Sequence, residues 1–116
     1  SLETKCDREG FDLFVALSIL PNGMNIVSQL STGVIRVTDC DINSKQDREI
    51  RLQPMLANFE EGDRLRISIS GSAWPAIGIN PGCKQSTEGP SPHCLVTTIS
   101  LLLRNSKLEF KSLISA

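Results

Sequence analysis

Apolar and polar residues alternate most cleanly over residues 64–70, where Leu65, Ile67 and Ile69 fall on one side and Arg64, Arg66, Ser68 and Ser70 on the other. Successive side chains of a strand point to opposite faces, so this stretch predicts a half-buried antiparallel strand. Glu61-Gly62-Asp63 in front of it is turn chemistry. Residues 11–20 differ: Phe11, Leu13, Val15, Leu17 and Ile19 share one face, but the other carries Phe14, Ala16 and Leu20 beside Asp12 and Ser18. Apolar character on both sides fits an interior strand. Pro21-Asn22-Gly23 is a strong turn signal, and residues 25–30 and 33–38 then predict two shorter strands separated by Ser31-Thr32-Gly33.

Residues 39–47 are polar and predict a loop. Residues 49–55 set Ile50, Leu52 and Pro54 against Glu49, Arg51 and Gln53, and the proline places this strand at an edge or at its own end. Pro75, Pro81, Pro90 and Pro92, with several glycines, make residues 73–92 a long excursion. Residues 95–103 and 108–114 predict a hairpin turned by Arg104-Asn105-Ser106-Lys107. Helical periodicity is nowhere sustained. About seven short strands punctuated by turns predict one all-β sandwich domain over residues 1–116.

Composition narrows the partners. Forty per cent apolar and 22% charged residues are those of an ordinary globular protein. Twelve Lys and Arg are offset by thirteen acids and scattered along the chain, so nothing attracts nucleic acid or an anionic membrane. The longest apolar runs fall far short of the roughly 20 residues that cross a bilayer. The chain opens Ser1-Leu2-Glu3 and reads as a fragment of a larger protein, with Ser1 and its neighbours as foreign leader residues. Cys6, Cys40, Cys83 and Cys94 are widely spaced. Buried reduced thiols, with a slight preference for the cytoplasm, stand against a Cys83 to Cys94 bridge across the proline-rich excursion. The compartment stays open.

The segment Asn58-Phe-Glu-Glu-Gly-Asp-Arg-Leu-Arg-Ile-Ser-Ile-Ser-Gly-Ser-Ala-Trp-Pro75 resembles one in the C-terminal, non-catalytic domain of the X-Pro dipeptidyl-peptidase and cocaine-esterase-like serine hydrolases. There a phenylalanine, a glycine and an alternating strand run into an aromatic-proline turn. Asp12-Leu-Phe-Val-Ala-Leu17, Pro21-Asn22-Gly23, Leu30-Ser-Thr-Gly-Val-Ile-Arg36 and Asn105-Ser-Lys-Leu-Glu-Phe110 are similar to further family segments in the same order. The resemblance implies a jelly roll of the galactose-binding-like type that packs on an upstream α/β-hydrolase domain bearing a Ser-Asp-His triad. The family domain has further strands before the equivalent of Asp12, so the chain would be its latter part, with an exposed sheet edge through which copies could associate. Asp63 departs from the histidine of many relatives, and Ala76-Ile77-Gly78 also departs, which leaves peptide or ester as the parent's substrate.

None of the triad carries over to this chain. A nucleophile elbow needs Gly-x-Ser-x-Gly, and Ser70-Gly71-Ser72 lacks that frame. The single histidine, His93, sits in the excursion and reads as a loop residue. Asp39-Cys40-Asp41-Ile42-Asn43 opens like a calcium loop, but Ser44 and Ile50 replace the glycine and glutamate that such a loop requires. Cys83, His93 and Cys94 lack zinc-ligand spacing. The expectation is therefore no catalytic residue, no metal and no cofactor. Trp74 and Pro75, as an amphipathic aromatic bend, and Arg64 and Arg66, as outward charges, are the candidate domain-interface residues. The competing reading is a free-standing module for carbohydrate or another small ligand, opposed by the lack of tyrosine and the single tryptophan.

Overall fold

The computed structural model of the chain describes residues 1–72 and 96–110. Among these residues six strands form: β1 (Leu2–Cys6), β2 (Phe11–Leu20), β3 (Ser28–Val37), β4 (Gln46–Arg48), β5 (Arg64–Ser70) and β6 (Ile99–Leu102). They build two antiparallel sheets, ordered β4-β1-β6 and β3-β2-β5. A 3-10 turn over Leu103–Asn105 follows β6. The predicted all-β sandwich is the observed architecture.

Strand β2 occupies the centre of its sheet, as its two-sided apolar pattern requires. It pairs Leu13 with Ile35 of β3, and Val15 and Leu17 with Ile69 and Ile67 of β5. Directly opposed residues share a face, so Phe11, Leu13, Val15, Leu17 and Ile19 form one inner surface with Ile35, Val37 and Ile69. On the outer surface Asp12 faces Arg36. Arg36 donates from Nε and Nη2 to the two Asp12 oxygens at 3.0 and 2.9 Å, and the Asp12 side chain is only 2% exposed. Such a fork satisfies a carboxylate that would otherwise be costly to bury.

The two short strands expected over residues 25–30 and 33–38 are instead one strand, β3. Its register passes from Leu17↔Ser31 to Ser18↔Gln29, skipping Leu30, so the interruption read from the sequence is a bulge within a continuous strand. Gly33 is no separator either. A Cβ there would fall against the Arg51 carbonyl oxygen and within 3.0 Å of Ile50 Cγ2. The glycine admits a second backbone segment to the inner side of β3.

That segment also corrects the strand expected at residues 49–55. The ladder is shorter and earlier, at β4, where Gln46 and Arg48 oppose Thr4 and Leu2. The chain then leaves the first sheet and runs beside the second, with Gln53 N–H donating to the Thr32 carbonyl at 2.9 Å and Ser31 Oγ to the Gln53 carbonyl at 2.6 Å. Asp47, expected in the polar loop, lies within β4.

Strand β1 was not anticipated, and it is the middle strand of its sheet. Thr4 and Cys6 point inward with their partners Leu101 and Ile99, while Glu3 and Lys5 face out. Ser1 and its neighbours, expected as leader residues, join the fold. They are structural: the Ser1 ammonium donates to the Lys107 carbonyl at 2.8 Å, and Lys107 N–H returns a bond to the Ser1 carbonyl at 2.9 Å. The same contact replaces the expected hairpin, because the chain after the 3-10 turn follows the start of β1 rather than folding back on β6. Residues 106–110 form no strand, and residues 111–114 of that expectation lie outside the described residues.

The buried centre lies between the sheets at the Phe11 end of β2. Cys6, Phe11, Leu13 and Cys40 are its buried members, with Leu2, Ile35, Val37, Ile50, Ile69, Ile99 and Leu101 packed around them. The Arg48 guanidinium lies 5.7 Å from the Phe11 ring centre and closes one flank.

Candidate interdomain surface

Strand β5 is placed by a pair of turns. Asp63 N–H donates to the Glu60 carbonyl at 3.1 Å, with Gly62 at φ 91°, and Met24 N–H donates to the Pro21 carbonyl at 3.2 Å, with Gly23 at φ 75°. Positive φ in these third turn positions is what glycine supplies. The turns lie side by side because β2 ends where β5 begins. Asp63 fastens them: Oδ1 accepts from Asn22 N–H and Oδ2 from Glu60 N–H, both at 2.9 Å. These two backbone donors hold the Asp63 carboxyl below its ordinary pKa. Gly62 leaves room for Asn22, whose Nδ2 would stand 2.5 Å from an added Cβ.

From this anchor β5 runs along β2, and only Ile69 reaches the core. Leu65 and Ile67, on the same inner face, are 41% and 47% exposed. The exposure belongs to the edge strand: Ile19 and Leu17, their partners on the central strand β2, are buried at 8% and 4% exposed. Near this end of the sheet an open groove of about 1310 Å³ lies between residues 49–59 and residues 107–110, with Leu17 and Ser31 among its lining residues. Leu52, Met55, Leu56, Phe59, Leu108 and Phe110 line it, and Ser1 sits at its edge. Glu49 pairs with Arg51 at 3.6 Å and Lys107 with Glu109 at 2.9 Å, so the charges around the groove largely neutralise one another. The Lys107–Glu109 pairing raises the lysine pKa and lowers that of the glutamate.

Arg64 and Arg66 stand on the outer face of β5, exposed, opposite Leu20 and Ser18. Among the described residues neither meets a carboxylate. Trp74 and Pro75 lie outside the described residues, as do His93, Cys83 and Cys94. The loop carrying Asp39, Asp41 and Asn43 folds back on β1 through Asn43 N–H to the Cys6 carbonyl at 2.7 Å. No three His, Cys, Asp or Glu side chains converge there or elsewhere among the described residues. The sequence reading missed the groove. Its trace was the cluster of apolar residues Met55, Leu56 and Phe59 after the expected alternation ends.

A family model for the X-Pro dipeptidyl-peptidase C-terminal non-catalytic domain matches residues 1–103, from the start of β1 through β6. The chain belongs to this family. The match includes β1, which places the first residues in the X-Pro dipeptidyl-peptidase domain as firmly as their hydrogen bonds do. It also spans β5 and the turn at Asp63. A C-terminal non-catalytic domain of a larger peptidase implies a catalytic domain upstream in the same polypeptide. No curated protein and no solved structure is significantly similar to the chain.

Proposed function

We propose that this X-Pro dipeptidyl-peptidase C-terminal domain packs against an α/β-hydrolase catalytic domain of its own polypeptide and helps to shape that domain's substrate pocket. The observation that carries the reading is the inner-face row of Leu65 and Ile67, left exposed beside the apolar groove. Apolar side chains exposed in a row on an edge strand suit burial by another domain. Arg64 and Arg66, on the reverse of the same strand, and Trp74 and Pro75, which follow it in sequence, are assigned to the rim of this contact. The contribution to catalysis is positioning and exclusion of water, since the parent's nucleophile and base lie elsewhere. The jelly-roll connectivity of galactose-binding-like domains belongs to the same proposal.

The test is made in the whole peptidase. Ile67→Asp and Leu65→Asp should lower kcat/KM about tenfold, the effect of losing one or two packed contacts at an interface. The same substitutions should leave the isolated domain's melting temperature within about 2 °C, because both side chains are half exposed there. Wild-type kinetics in both variants would overturn the packing surface.

A further inference from the structure

Two cysteines of the core come from different parts of the sandwich. Cys6 ends β1 in the first sheet, and Cys40 lies in the loop that follows β3 of the second. Both are free and buried, and both belong to the same cluster with Phe11 and Leu13. Two backbone bonds hold their segments together: Cys40 N–H to the Glu9 carbonyl at 2.8 Å and Asn43 N–H to the Cys6 carbonyl at 2.7 Å. The sulfurs are weakly held, Cys6 Sγ accepting from Arg8 N–H at 3.5 Å and Cys40 Sγ donating to the Asp41 carbonyl at 3.4 Å.

We propose that Cys6 and Cys40 are a reversible redox modification site, a dithiol that low-molecular-weight disulfides oxidise to a bridge between β1 and the loop after β3. The chemistry needs two exchanges. The Cys40 thiolate attacks one sulfur of the oxidant, releases one small thiol and leaves a mixed disulfide on Cys40. The Cys6 thiolate then attacks the Cys40 sulfur, forms the protein disulfide and releases the second small thiol. Two electrons pass to the oxidant, and the two thiol protons end on the released thiols. The order follows from access. Cys40, on the loop, is 6% exposed and Cys6 is 1% exposed, so opening of the 39–43 loop presents Cys40 first. Burial also raises the Cys6 thiol pKa, which makes Cys6 a poor attacking thiol in the first exchange.

The experiment uses the full chain incubated in oxidised glutathione, alkylated after unfolding, and mapped by peptide mass spectrometry without reduction. The expected result is a cross-linked peptide joining Cys6 and Cys40. With it should come a rise of about 10 °C in melting temperature that dithiothreitol reverses, because the bridge closes a long loop of the unfolded chain. Cys83→Ser/Cys94→Ser should keep both effects, and Cys40→Ser should remove them while leaving Cys6 alkylatable. Free Cys6 and Cys40 after oxidation, or pairing of either with Cys83, Cys94 or glutathione as the stable product, would overturn the proposal.

Discussion

One carboxylate, Asp63, fixes the relation of two turns that are about forty positions apart in the sequence. Its two oxygens take the backbone N–H groups of Asn22 and Glu60, and this lowers its pKa. A group whose pKa is depressed on folding adds stability above its unfolded value of about 3.9, and that stability is lost as pH falls through the lower folded value. Carboxyl carbon NMR should therefore place the Asp63 midpoint below about 3.9, and a midpoint at or above it would mean that the two N–H bonds do not persist in solution. The turn itself was visible in Glu61-Gly62-Asp63. Its partner was not, since nothing local in a sequence says which of several turns will lie beside another. Arg64 and Arg66 were legible as outward charges for the opposite reason: alternation alone assigns the face.

At the level of elements, legibility followed the strength of the period. Strands β2 and β5 alternate over seven or more residues and were readable at once. The Glu-Thr-Lys centre of β1 and the Gln-Asp-Arg of β4 carry no apolar period, because one sits over a small corner of the core and the other at an edge. The expected break in β3 was a misassigned glycine. Gly33 serves the passage of residues 50–53 from one sheet to the other, so Gly33→Ala must move backbone. Overpacking of this kind costs about 1–3 kcal/mol, and the melting temperature should drop by about 5–10 °C. Gly71→Ala, with open space around the new Cβ, should leave it unchanged. Equal melting of the two variants would show that the Arg51 carbonyl is free to retreat.

For the whole molecule, the sandwich and its family were legible, but the groove was not, because it exists only once residues 49–59 and 107–110 are brought together. A non-catalytic C-terminal domain of a peptidase implies that the chemistry belongs to the catalytic domain upstream. The 116-residue chain by itself should show no turnover above background on dipeptidyl-proline amides or simple aryl esters. Activity lost on His93→Ala would contradict the non-catalytic assignment.

The paired bonds between Ser1 and Lys107 set the start of the chain at the edge of that groove. An upstream catalytic domain joined through Ser1 would enter beside the surface that it is proposed to cover. Attachment through a short connection holds a neighbour at an effective concentration in the millimolar range, so a contact far too weak to assemble two separate chains stays closed in one. On the proposed packing, connectivity would supply much of the hold on the partner, and cutting the connection would part them.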